Sequence, residues 1–334
     1  MENAKGEQFV ADFPVGVTRP VQYESSIKSQ SVYMSLQQLV PYDRVRDYFL
    51  AQCGIAISTG SVSNFNKEYS ERLEEFDAMA KRVLKSQPVL HADETVINVN
   101  GKLVWLHNVS NDKWTLFNRH AKRGGIAIKE MGVLEDYKGT LCHDHWKPYF
   151  QLRRCRHSLC NAHHLRELER ASEQDGQKWA KAMQELLLEA NEATAAAGGC
   201  LRKQAVETFT GRYRKVPTKG GLECPAPAAE TDDDKPGRVA RSKSRNLLER
   251  LRTFETETLR FMTDPLVPFT KNQSENDIRM TKLQQEISGR FLSFEGAHIF
   301  CRVRSYLSSC RKHGVTATEA LKTLFAGVLP DFIV

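Results

Sequence analysis

"PVLHADETVINVNGKLVWLHNVSNDKWTLFNRH", residues 88–120, is where the chain changes from a helical to a two-fold period. Apolar and β-branched residues run through 88–98, 102–111 and 113–120, and Asn100-Gly101 between the first two runs is a strong hairpin signal. Two acids, Asp93 and Glu94, interrupt the first strand, where a carboxylate without a partner is costly. Beyond the three strands, "GIAIKEMGVL" reads as a helix and "GTLCHDHW" as a fourth strand with Asp144 at its end. A meander followed by a helical crossover to a further strand gives an α/β fold with a mixed sheet.

Towards the N-terminus, the first 30 residues carry Pro14 and Pro20 and read as extended and irregular. From Ser31 onward apolar residues recur at helical spacing and Gly54 closes the segment. Ser58 or Thr59 then caps a helix running towards Leu84. This is the outline of a helix-turn-helix whose second helix offers Ser61, Ser63, Asn64 and Asn66 to DNA, although an ordinary helical hairpin gives the same outline. Past Asp144, "HSLCNAHHLRELERASEQDGQKWAKAMQELLLEANEATAAA" reads as helical, and the Pro-, Gly- and Asp-rich residues 216–237 read as a flexible loop. Helix resumes at "SKSRNLLERLRTFETETLRFM". A last segment, "NQSENDIRMTKLQQEIS", takes Asn272 or Ser274 as its cap and places Glu275 in its first turn.

With 334 residues, 40% of them hydrophobic, the chain can bury a sizeable core. No apolar run is long enough to cross a bilayer, so a cytoplasmic protein is expected. Eight scattered cysteines without a CxxC pair argue against a disulfide framework and for reduced, mostly buried thiols. From Arg238 to Lys312 there are 15 Lys and Arg against 8 Asp and Glu, an excess equal to the whole chain's net charge of +7. Such clustering suits phosphate binding, and a solvated helical face gives the same count.

Asp93, Asp144 and Glu275 stand on three separate elements that can meet at one edge of the sheet. Converging carboxylates repel unless cations neutralise them. Oxygen-only ligands suit magnesium or manganese, and two such ions about 3.5–4 Å apart serve phosphoryl transfer.

"HADET", "HDHWKPY", "HSLCNAHHLREL", "NQSENDIRMTK" and "RSYLSSCRKHG", in this order, resemble the transposases of the IS sixty-six (IS66) insertion-sequence family. The resemblance implies a DDE catalytic core of RNase H-like fold, which cleaves the 3′ ends of the element with water and then directs the freed 3′-hydroxyl onto target DNA. Its partners would be the terminal inverted repeats, target DNA, a second or further copy of the chain in the DNA complex, and accessory proteins of the same element. Its place would be the bacterial cytoplasm, with the nucleoid. Carried over by motif, Asp93, Asp144 and Glu275 are the first, second and third acids and hold two magnesium or manganese ions. Lys282 lies seven residues beyond Glu275, on nearly the same helix face, and is expected at the DNA with Arg279, Arg290 and Lys271, a solvated lysine being the plain alternative.

Cys160 and His163 form a C-x-x-H signature, placed on one helix face with His164 and Glu167. In related families this signature braces the core. Zinc is the alternative, for which the sequence supplies half a site. His145, beside Asp144, either tunes the site or packs in the core. The third acid lies 131 positions beyond the second, which implies a helical insertion. The expected segments are a helix-turn-helix-like region at 1–86, a core at 87–171, the insertion at 172–262 and core helices at 263–334. Relatives carry a zinc-finger-like module ahead of this region, and the chain is expected to begin after it. Two competing readings are a non-catalytic DNA-binding protein and an RNase H-like nuclease without strand transfer.

Overall fold

The computed structural model describes residues 22–226 and 241–333. The arm up to residue 21 and residues 227–237 of the expected loop lie outside them. The described residues form two compact units, 22–72 with 314–333, and Leu73–His313. The helix at 74–86 falls in the unit with the sheet, and the C-terminal helix Ala317–Phe325 in the unit with the N-terminal helices.

In the first unit, α1 (Ser25–Val32) passes into a π turn, Tyr33–Gln37, so helix begins inside the stretch expected to be irregular. Leu39, at φ 61°, turns the chain ahead of α2 (Tyr42–Cys53), which Gly54 closes at φ 65°. Ser58 caps α3 (Thr59–Glu71) by accepting the Ser61 N–H at 2.9 Å. Val45, Phe49, Ile57 and Val62 pack between α2 and α3. Asn66, expected to face DNA, is buried instead, accepting from Ser35 Oγ at 3.0 Å and donating to Tyr42 Oη at 2.9 Å. Ser63 and Asn64 are exposed.

The second unit opens with α4 (Glu74–Ser86), a separate helix where one continuous helix towards Leu84 was expected. The meander follows as β1 (Val89–Val99), β2 (Lys102–Ser110) and β3 (Thr115–His120). Asn100 and Gly101, at φ 49° and 82°, make the hairpin turn, where positive φ at both positions matches the strand twist. After α5 (Gly125–Met131), β4 (Thr140–His143) pairs parallel with β1, and β5 (Arg156–Leu159) pairs parallel with β4. The sheet order is β3-β2-β1-β4-β5. Residues 157–159 were expected to be helical. Pairing with β4 overrides local propensity there, and helix starts only at α6 (Asn161–Glu173).

Helices α7 (Lys178–Ala196), α8 (Lys203–Glu223), α9 (Lys243–Thr253) and α10 (Glu255–Leu259) share one apolar core with α6. Trp179, Met183, Leu187, Tyr213, Leu247 and Leu251 fill it, and Val89 and Cys142 of the sheet belong to the same core. α8 runs through residues 216–223, which were expected to be loop. Gly220 is there for close approach: a Cβ would stand 2.7 Å from the Trp179 side chain and 2.9 Å from Leu248. The unit ends with α11 (Asn272–Ser288) and α12 (Phe294–Lys312). No helix among the described residues is long and apolar enough to cross a membrane. All eight cysteines are free and six are buried.

Candidate active site

The register of β1 on β4 places His91 beside Cys142, so Asp93 and Asp144, each two residues further on, emerge together at the carboxyl edge of the parallel strands. Open α/β sheets bind ligands at that edge. The first turn of α11 brings Glu275 to the same place. All three acids line one cleft of about 580 Å³, together with Glu94, His163, Arg166, Arg279 and Lys282.

A polar seam fixes α11 across the sheet. Lys271, just before the helix, donates to the Ala92 carbonyl of β1 at 3.1 Å. Ser274 Oγ receives Asn108 Nδ2 of β2 at 3.0 Å. Asp277 accepts from Thr115 Oγ1 of β3 at 3.1 Å, and from Ser308 Oγ and Lys312 Nζ of α12 at 3.0 and 2.9 Å. Asp277 and Lys312 are almost wholly buried, and the additional hydrogen bonds offset the cost of taking both charges out of water. With 271, 274 and 277 committed to the sheet, Glu275, Arg279 and Lys282 turn to the cleft, four and seven residues apart on one face.

Each acid is held by protein groups. Asp93 Oδ1 accepts the Glu94 N–H at 3.0 Å and lies 3.1 Å from Lys271 Nζ. The Lys271 side chain has no exposed surface, which corrects the expectation that it contacts DNA: its ammonium faces Asp93 inside the core. Asp144 Oδ1 accepts the Trp146 N–H at 2.9 Å, closing a tight turn. Arg166 Nη2 donates to both oxygens of Glu275, at 3.1 and 3.3 Å.

Glu94, the second acid of the opening stretch, points away from Lys271 and is just as constrained. Its side chain is 2% exposed, between Arg123 Nη2 at 2.6 Å and Tyr149 Oη at 2.8 Å. Burial, then the nearby Asp144 charge, raises its pKa, and its two hydrogen-bond partners oppose that. Arg123 is stacked between the rings of Trp105 and Trp146, 4.3 and 4.5 Å from their centroids. The sequence reading missed this group. The signal was the pair itself, because adjacent acids in a strand point to opposite faces and each needs a partner.

Cys160 does not sit on the helix face with His163. It is the extended residue before α6. Its N–H donates to the His143 carbonyl at 3.0 Å, and its Sγ receives the Lys271 N–H at 3.3 Å. His145 packs edge-on against Phe254 at 4.5 Å, and burial pushes its pKa down to about 4. Arg290 does not line the cleft. The chain there pairs with the far end of β1 through Val99 and Phe291, six residues or roughly 20 Å beyond Asp93.

Carboxylate oxygens from three elements around one polar cleft are a donor set that fits a hard divalent cation. The three are not drawn into a single ligand shell. Among the described residues, the one group of His, Cys, Asp or Glu whose ligand atoms all lie within 4.8 Å of one another is Cys160, His163 and Glu275.

In comparison with known proteins, residues 20–299 match the family model described as "Transposase IS66 family". No curated protein matches the chain.

Proposed function

Because the chain belongs to the IS66 family of transposases, we propose that it is a metal-dependent DNA transposase in which Asp93, Asp144 and Glu275 are the metal-holding acids. The observation that carries this is the meeting of the three acids at one sheet edge, in a cleft bordered by Arg166, Arg279 and Lys282. The strand order, with β1 antiparallel to β2 and parallel to β4, supports an RNase H-like core.

Magnesium or manganese ions held there would supply the activation of an attacking oxygen and the neutralisation of a leaving one, first for water and then for the freed 3′-hydroxyl. The residues do the positioning. The Trp146 N–H fixes the Asp144 carboxylate, Lys271 fixes that of Asp93, and Arg166 balances Glu275. Arg279 and Lys282 offer their charges to phosphates entering the cleft. DNA is the partner, and α2 with α3 is a second contact region through exposed Ser63 and Asn64. Helices α7–α10 form an insertion between the second and third acids, and two copies of the chain hold two DNA ends.

The test is cleavage and joining of duplexes carrying the element's ends, with manganese, by the wild type and by Asp93→Asn, Asp144→Asn and Glu275→Gln. Loss of both steps in all three folded variants is expected. Normal cleavage by Glu275→Gln would remove it from the site. Cleavage without joining would make the protein a nuclease, and salt-sensitive DNA binding without cleavage a non-catalytic DNA-binding protein.

A further inference from the structure

We propose that Cys160, His163 and Glu275 form a second metal site, for a thiophilic ion of the zinc class, which draws Glu275 away from the other two acids. The effect on DNA cleavage rests on the function proposed above, whereas the site itself does not.

The geometry is close to that of a bound ion. Zinc bonds of about 2.0–2.3 Å in a tetrahedron put neighbouring ligand atoms about 3.3–3.8 Å apart. Here Glu275 Oε1 lies 3.5 Å from His163 Nδ1 and 3.9 Å from Cys160 Sγ, and all three ligand atoms fall within 4.8 Å of one another. Shifts of a few tenths of an ångström complete the two measured edges. His163 Nδ1 is also buried without a hydrogen bond, so a ring nitrogen that points at the carboxylate has nothing else to hold. The thiol is already oriented by the Lys271 N–H and by its place at the start of α6.

Ligand chemistry separates this site from its neighbour. A thiolate and an imidazole favour zinc over magnesium, while Asp93 and Asp144 offer oxygen alone. On binding, the Cys160 thiol releases its proton to the buffer, and thiolate and carboxylate together neutralise the ion's two charges. The ion replaces Arg166 as the partner of Oε1. Three protein ligands leave a fourth position open to water. An occupied site commits Glu275 to one ion and leaves the other two acids without it.

The experiment is titration of the full chain with cobalt(II), a spectroscopic stand-in for zinc, in excess magnesium. One equivalent should produce a near-ultraviolet thiolate-to-cobalt band with tetrahedral visible bands, and zinc should remove both. Cys160→Ser should lose the near-ultraviolet band, and His163→Gln should weaken binding by at least about tenfold. Asp93→Asn with Asp144→Asn should keep the full spectrum. If Cys160→Ser fails to fold by circular dichroism, His163→Gln and the paired Asp variant decide. No thiolate band in the wild type, or undiminished binding in His163→Gln, overturns the site and leaves the three-acid reading standing. Cleavage indifferent to the three acids sinks that reading and leaves the spectrum intact. With both in place, zinc should inhibit magnesium-dependent cleavage, with an inhibition constant at least about tenfold higher in His163→Gln.

Discussion

Lys271, four residues before Glu275 in the chain, places its ammonium 3.1 Å from Asp93 and 3.1 Å from the carbonyl of Ala92, with no side-chain surface exposed. One acid's counter-charge therefore arrives on the element that carries another, so the geometry of Asp93 and that of Glu275 are fixed together. Lys271→Met removes the charge and keeps most of the volume. It should destabilise the fold by about 1–3 kcal/mol in urea unfolding, because Asp93 and the Ala92 carbonyl both lose a donor. A change within about 0.5 kcal/mol, typical of surface positions, would show that the ammonium is not held in the core.

The same burial separates Lys271 from the two cleft cations in DNA binding. Each phosphate contact contributes about 0.9 to the slope of log affinity against log salt. Arg279→Ala and Lys282→Ala should each flatten the slope by about that amount, whereas Lys271→Met should leave it unchanged. Equal flattening by all three would place Lys271 at the phosphates.

Tyr149→Phe tests the arrangement around Glu94. The phenol donates to a buried carboxylate, and losing a hydrogen bond to a charged group costs about 1.5–3 kcal/mol. Because Trp146 stacks on Arg123, which pairs with Glu94, the variant should also loosen the turn that holds Asp144. The readout is faster amide exchange at Trp146. Unchanged stability together with unchanged exchange would remove Glu94 from any role in placing that turn.

Stability should fall on mild acidification. Burial lowers the pKa of His91 and His107 to about 4 and that of His164 to about 3. In the unfolded chain each titrates near 6.5. Between these values the unfolded state binds more protons, so the contribution of each histidine is complete above about pH 6.5 and is lost as pH falls towards 4. Each can contribute up to about 1.4 kcal/mol per pH unit within that window. Urea midpoints near neutrality and at about pH 5 should therefore differ, with the acidic one lower. Coincident midpoints would mean that the folded protein protonates these rings freely.

The meander was legible because period-two alternation and Asn100-Gly101 are local signals, and Asp144 followed from its place at the end of a readable strand. Strand β5 was not legible. Four residues carry little periodicity, and what makes them a strand is β4. Pro217 and Gly220 imitate a loop because the cue for a turn and the cue for close helix packing are the same residues. Lys271 read as a DNA contact and Ser274 as a possible helix cap, since a seam built from hydrogen bonds has no apolar signature. Asn66 was misplaced for the same reason.

Helices α7–α10 interrupt the sequence between Asp144 and Glu275, yet Val89 and Cys142 share their apolar core. Fully burying a side chain the size of leucine stabilises by about 1.5–3 kcal/mol, and Leu247, Leu248 and Leu251 have no exposed surface. An interruption in the sequence is thus a foundation in the fold. Excising these helices would strip the β1 and β4 end of its cover, and shortened descendants of this chain should be insoluble before they are inactive.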